Sequence, residues 1–206
     1  DYSSDLFLKT LEEINSFSAL KLTNSLESIV YLEKRKPKRA EFLPDIVQAI
    51  QYKKKIEFHY QKFGEEQETI RKVSPIAIRE HNNRWYLIAD DNGMVKNFGL
   101  ERMNKVILLD VKIDANICFN YEDKYKFAFG IIVPTDEKPE KIVLSVTKKQ
   151  AQYLESLPLH ESQYVIEKKK NEVLIGLELF LTDDLINEIL SLSRTVTVLQ
   201  PKKLQD

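Results

Sequence analysis

The chain has 206 residues, of which 43% are hydrophobic and 31% charged, a balance suited to one large or two small folded domains with an ordinary core. Lysine and arginine total 31 against 32 acids, for a formal charge of −1, which excludes a globally basic nucleic-acid binder but leaves room for a local basic patch. The single cysteine, Cys118, excludes an internal disulfide.

The longest apolar runs, Trp85–Ala89 and Val106–Leu109, are far shorter than a bilayer span. No basic, apolar leader opens the chain, so a cytoplasmic location without membrane contact is the expectation. The first residue is Asp1 rather than Met, which points to processing or to further sequence upstream.

From Ser4 to about Glu33 the pattern is helical, with Phe7, Leu11 and Ile14, and then Leu22, Leu26, Ile29 and Val30, at helical spacing. Asn15-Ser16-Phe17-Ser18 between them favours a break, and Ser3, Ser4 and Asp5 are ready N-caps. The basic stretch Lys34 to Arg39, interrupted by Pro37, reads as a solvated hinge. A short helix is predicted over Phe42–Tyr52, with Leu43, Ile46, Val47 and Ile50 on one face and Pro44 in its first turn.

The period then changes to two. Ile56, Phe58 and Tyr60 alternate with Glu57, His59 and Gln61 as in a half-buried strand. Further strands are predicted at about Glu68–Arg79, Arg84–Ala89, Met94–Phe98 and Lys105–Ile113, joined by short turns such as Asp91-Asn92-Gly93. Five short strands after one helix predict a small, closed or nearly closed β-barrel of SH3 or Sm type.

Asn120 to Pro139 forms a connector in which Tyr125, Phe127 and Phe129 alternate, suggesting an added strand. Beyond it come a strand at Lys141–Val146, a helix at Lys148–Leu157, and strands at Ser162–Glu167 and Glu172–Phe180. A helix at Thr182–Leu192, capped by Thr182 and with Asp183 and Asp184 in its first turn, precedes a last strand at Thr195–Leu199. That order is the ferredoxin-like β-α-β-β-α-β arrangement.

The expected class is therefore α+β in four parts. A helical arm and linker (1–43) precedes the barrel (44–115), a connector (116–139) and the ferredoxin-like module (140–206).

Catalysis has little support. His59, His81 and His160 stand singly, the five glycines form no phosphate-cradling loop, and neither metal spacing nor a nucleophile motif is present. No enzyme and no cofactor are expected; His160, after Pro158-Leu159, reads as a structural hydrogen-bonding residue. The barrel's cations are more informative. Arg71 shares a strand face with Val73 and Pro75, Lys96 alternates with Phe98, and Arg102 sits in Leu-Glu-Arg-Met between two strands. An arginine held among apolar neighbours needs an anionic partner, either a local acid such as Glu101 or a ligand phosphate. Tyr60 and Tyr86 can add hydroxyl donors and stacking surface.

These residues resemble the WYL domain family. The resemblance rests on the strand Ile-Glu-Phe-His-Tyr ending at Tyr60, on Arg71-x-Val73-x-Pro75, on Trp85-Tyr86-Leu87, and on Phe98-x-Leu100-Glu101-Arg102. It continues in the C-terminal part, where Pro158-Leu159-His160-x-Ser162-Gln163 and Val198-Leu199-x-Pro201 are similar to the extension that commonly follows such domains.

The resemblance implies the sensing and dimerisation region of a bacterial transcription regulator, separated from its winged helix-turn-helix. It implies a nucleotide or single-stranded nucleic acid as effector, duplex DNA bound through the absent N-terminal unit, and a homodimer. The pocket residues it implies are Tyr60, Arg71, Tyr86, Lys96 and Arg102. Gly99 stands where many members carry an arginine, which removes one phosphate contact, and Arg194 lies near a common glycine.

The alternative is a structural dimerisation or protein-interaction module with no small ligand, in which Arg71 and Arg102 pair with acids of the chain. Alternation further predicts that Trp85 and Leu87 face the core while Tyr86 looks into the site.

Overall fold

The structure, a computed structural model, describes residues 38–113 and 120–205. The predicted helical arm, the first part of the basic hinge and Cys118 lie outside the described residues.

A helix, α1 (Leu43–Gln51), opens the described part, with Pro44 in its first turn where the absent N–H costs nothing. Five strands follow: β1 (Lys54–Tyr60), β2 (Thr69–His81), β3 (Arg84–Asp91), β4 (Met94–Gly99) and β5 (Met103–Lys112). They form one antiparallel sheet in the order β4-β3-β2-β1-β5. Alternation sets what faces inward: Ile56, Phe58 and Tyr60 from β1 and Leu87 and Ala89 from β3 are buried with Val73, Phe98 and Met103. Ile46 and Ala49 of α1 cover this core with Leu43 and Ile50 beside them, whereas Val47 of the expected stripe is exposed and Ala49 takes the inward position.

The sheet folds over on itself. Phe58 of β1 and Phe98 of β4 are three strand positions apart, roughly 14 Å in a flat sheet, yet their ring centroids lie 5.2 Å from each other. It does not close into the expected barrel: among the described residues β4 and β5 are the two edges and pair with β3 and β1 alone. The flank of β4 is taken up by the connector instead. The Asn97 amide donates to Ile131 O at 2.5 Å and its oxygen accepts from the Tyr125 hydroxyl at 2.8 Å.

The connector differs from expectation as well. Tyr125 ends a short helix, α2 (Tyr121–Tyr125), rather than starting a strand, because the Asn120 side chain accepts from the N–H groups of Glu122 and Asp123. Tyr125, Ala128 and Phe180 then bury Ile88, on the outward face of β3. Strand β3 is thus covered on both sides, which explains its unbroken apolar run.

The remaining elements are β6 (Glu140–Thr147), α3 (Lys148–Ser156), β7 (Tyr164–Lys168), β8 (Glu172–Leu179), α4 (Asp183–Leu192) and β9 (Val196–Gln200). The four strands make a second antiparallel sheet in the order β7-β8-β6-β9. One face, with Leu144, Ile175 and Leu177, packs against Ala151 and Leu154 of α3 and Leu185 and Ile189 of α4.

Thr182 occupies the start of α4, where its carbonyl accepts from Ile186 N–H, but its hydroxyl is buried without a hydrogen-bond partner among the described residues. The expected side-chain cap is therefore not made, and the carboxylate of Asp184 is turned to the N–H of Ile131 in the connector.

The Pro158-to-Gln163 turn is a hydrogen-bonded clasp. Gln163 accepts from Leu159 N–H at 3.0 Å and donates to Leu154 O at 2.6 Å, and Ser162 exchanges bonds with the backbone of Glu178.

Candidate functional site

A cleft of about 500 Å³ opens where β1, β2 and β4 meet the turn before β5. Tyr60, Arg71, Lys96 and Arg102 line it, together with Lys62 and Phe98. Four of the five candidate side chains are thus brought together from separate parts of the chain. The volume lies within the range of small-ligand pockets.

The cations are held from behind. Asp91 ends β3 in phase with Leu87 and Ala89, so its carboxylate points inward and only 4% of the side chain is exposed. One of its oxygens, Oδ2, receives Lys96 Nζ at 2.8 Å and Arg71 Nη1 at 3.3 Å. Arg71 Nε donates to Thr69 Oγ1 at 3.2 Å. Burying a carboxylate is costly unless it is paired, and two cations on one oxygen provide the pairing. Their outer surfaces remain open, with Arg71 28% and Lys96 38% exposed.

Arg102 is arranged differently. Its guanidinium carbon lies 5.2 Å from the Tyr60 ring centroid and 5.2 Å from that of Phe63. Its Nε faces Glu101 Oε1 at 3.4 Å, without the alignment of a hydrogen bond, and both atoms are buried without a hydrogen-bond partner among the described residues.

Gly99 makes this possible: a Cβ there would stand 2.7 Å from Glu101 Oε1 and 2.8 Å from Arg102 Nη2. The space that a side chain at position 99 would fill belongs to an internal ion pair. The local acid expected for Arg102 is present.

Tyr60 is buried, its ring edge-on to Phe58 and Phe98, and burial raises its phenol pKa above the ordinary value. Tyr86 is the one candidate that does not line the cleft. It is buried on the opposite face of β3 from Leu87, and burial followed by the charge of Glu101 raises its pKa. Trp85 and Leu87 belong to the first core as alternation requires. Tyr86 is paired across the strands with Gly99 and feels the charges of Glu101, Arg84 and Arg102, so it stands beside the Glu101–Arg102 end of the cleft without being part of its lining.

Three contributors were not singled out from the sequence. Lys62 lines the cleft and Phe63 packs against Arg102, both from the β1–β2 loop, where no periodicity marks the direction of a side chain. Asp91 belongs by sequence to the Asp91-Asn92-Gly93 turn, but an acid in phase with Trp85, Leu87 and Ala89 signals a buried charge in need of a cation. His59 does not join the site; its Nδ1 lies 2.7 Å from Glu68 Oε2 on the other side of β1.

A neighbouring hollow of about 700 Å³ shares Lys96 and Asn97, but its lining holds Lys96 and Lys124 together with Asp123 and Glu137, so it favours no charge. Among the described residues no group of three or more His, Cys, Asp or Glu is placed to hold a metal ion, and no helix is long and apolar enough to cross a membrane.

Residues 41–108 match the model of the WYL domain. Among solved structures, the chain is similar to proteasome accessory factor B/C (PafBC) of Arthrobacter aurescens, at 17% identity and a TM-score of 0.38 over 85% of this chain and 26% of that one. It is also similar to a CRISPR Cas-related protein, at 10% identity and a TM-score of 0.45, over 78% of this chain and 46% of the other. The chain therefore spans less than half of either protein. Among curated proteins none matches it.

Proposed function

With residues 41–108 a WYL domain, we propose that this region is the sensing part of a bacterial transcription regulator and that its cleft binds a phosphate-bearing effector, a nucleotide or single-stranded nucleic acid. The observation that carries the reading is the set of cations lining one cleft, Lys62, Arg71, Lys96 and Arg102, while the acids that steady them lie behind. Asp91 and Glu101 side chains are 4% and 13% exposed and neither lines the cleft. A guanidinium carries five N–H donors and an ammonium three, so one internal acid leaves each cation with donors to spare for phosphate oxygens.

On this reading the sheet of β1–β5 is an SH3-like curl and the β6–β9 module a ferredoxin-like extension, a view supported by its strand order and its two helices. The module dimerises, the protein acts in the cytoplasm, and duplex DNA is contacted by a further N-terminal unit. Effector binding acts by favouring one arrangement of sheet, connector and extension, to the extent that it binds that arrangement more tightly.

The second reading, a dimerisation or protein-interaction module without a small ligand, draws on a specific observation: Arg71, Lys96 and Arg102 each already face a carboxylate of the chain.

Fluorescence anisotropy of a labelled single-stranded oligonucleotide separates the two. The effector reading expects binding that weakens steeply with salt, and an affinity lower by about tenfold or more for Arg71→Ala or Arg102→Ala, the loss of a charge-assisted contact. Binding indifferent to salt and to both substitutions, or none at all to oligonucleotides and nucleotides, rejects it in favour of the second.

A further inference from the structure

The β1–β2 loop places an aromatic ring where folding does not require one. Phe63 is 70% exposed, so it contributes little to the core, and it lies beyond the alternating run that ends at Tyr60. Among the described residues its notable contact is Arg102, whose guanidinium carbon is 5.2 Å from its ring centroid and at the same distance from that of Tyr60. The order Tyr60, Arg102, Phe63 thus runs from the buried core outward to solvent, with Lys62 and Arg102 both on the cleft wall. Gly64 at φ 81° supplies the turn that brings the loop back toward β2.

We propose that Phe63 is a stacking platform beside the cleft for a planar heterocyclic base, whose phosphate is held by Lys62, Arg71 and Lys96 with a contact from Arg102. This rests on the phosphate-binding reading and narrows it: the effector is recognised by an unpaired nucleobase as well as by charge. The argument is chemical. An exposed ring braced by a guanidinium cannot satisfy a phosphate, which needs donors, but it offers an unused π-face at low conformational cost. Every base has a π-face, so such a platform accepts bases with little sequence preference. The division of labour is spatial as well, because the buried Asp91 fixes Arg71 and Lys96 at one part of the cleft, while Arg102 is engaged by two rings and Glu101 at the other.

Isothermal titration of the purified chain with adenosine 5′-monophosphate and with ribose 5-phosphate tests the platform, since the two share the phosphate and differ in the base. The wild type is expected to bind the nucleotide more tightly by between about fivefold and about a hundredfold, the range for stacking on one aromatic side chain. Phe63→Ala should abolish that preference and leave ribose 5-phosphate binding unchanged, and Phe63→Trp should preserve it. Equal binding of the two probes by the wild type overturns the platform while leaving the phosphate site standing. So does a parallel loss of both probes in Phe63→Ala, which would make Phe63 a support for Arg102. Binding of neither probe overturns the platform together with the phosphate reading beneath it. The exposed position of Phe63 keeps folding out of the comparison, and the circular dichroism of each variant verifies it.

Discussion

The two sheets use the same antiparallel pairing, but they treat charge in opposite ways. The sheet of β6–β9 buries an aliphatic face, with Leu144, Ile175 and Leu177 against α3 and α4. Its ion pairs, such as Lys168 with Glu155 and Lys169 with Glu172, are on the surface.

The sheet of β1–β5 admits a carboxylate at an inward position and gathers cations around it. Glycines mark the same contrast. Gly99 makes room for the Glu101–Arg102 pair at the cleft, whereas Gly176 of β8 makes room for the ring of Tyr164 across the strand pair. A sheet with an aliphatic interior excludes charge from it. One that gathers cations along a cleft steadies them with a buried counter-charge.

The largest way to break this comparison is to damage the aliphatic core. Leu177→Ala removes a fully buried side chain from β8 and should lower stability by about 2–5 kcal/mol, read from urea unfolding. Asp91→Asn keeps the shape but removes the charge shared by Arg71 and Lys96, and should cost about 1–3 kcal/mol by the same measurement. The loss is smaller because both cations retain access to water. A stability unchanged by Asp91→Asn would mean that the buried acid does not organise the cleft.

The smallest effect is a pH dependence in the clasp. Desolvation lowers the pKa of His160 below its ordinary 6.5, and its Nδ1 accepts from Ser162 N–H at 3.1 Å. Above 6.5 the ring is neutral whether folded or unfolded, and the clasp is intact. As pH falls through 6.5 toward the folded value, the unfolded chain takes up a proton that the native chain resists, so stability declines. The thermal midpoint should therefore drop over that window and flatten in His160→Gln. Glu68, whose pKa is lowered first by its hydrogen bond with His59, acts in the same sense but below the carboxylate value of 4.5, so the two steps are separable.

The strands of both sheets were legible because their period of two depends only on which residues seek water. Ile56, Phe58 and Tyr60 face inward for that reason, as do Leu87 and Ala89. The elements that failed were those where a local hydrogen bond competes with pattern. Asn120 caps α2 and turns the alternating Tyr125 and Phe127 away from a strand, and Thr182 opens α4 without a side-chain cap.

What the sequence determined alone was the alternation, the turns and the clustering of cations among apolar neighbours in the first half of the chain. Those follow from hydrophobicity and backbone preference, which act over a few residues. Only the tertiary structure decided that the first sheet folds over without closing, that Asp91 stands behind Arg71 and Lys96, and that Tyr60 and Phe63 meet on Arg102. These outcomes depend on which surfaces meet across strands distant in sequence, and no spacing along the chain encodes such a meeting.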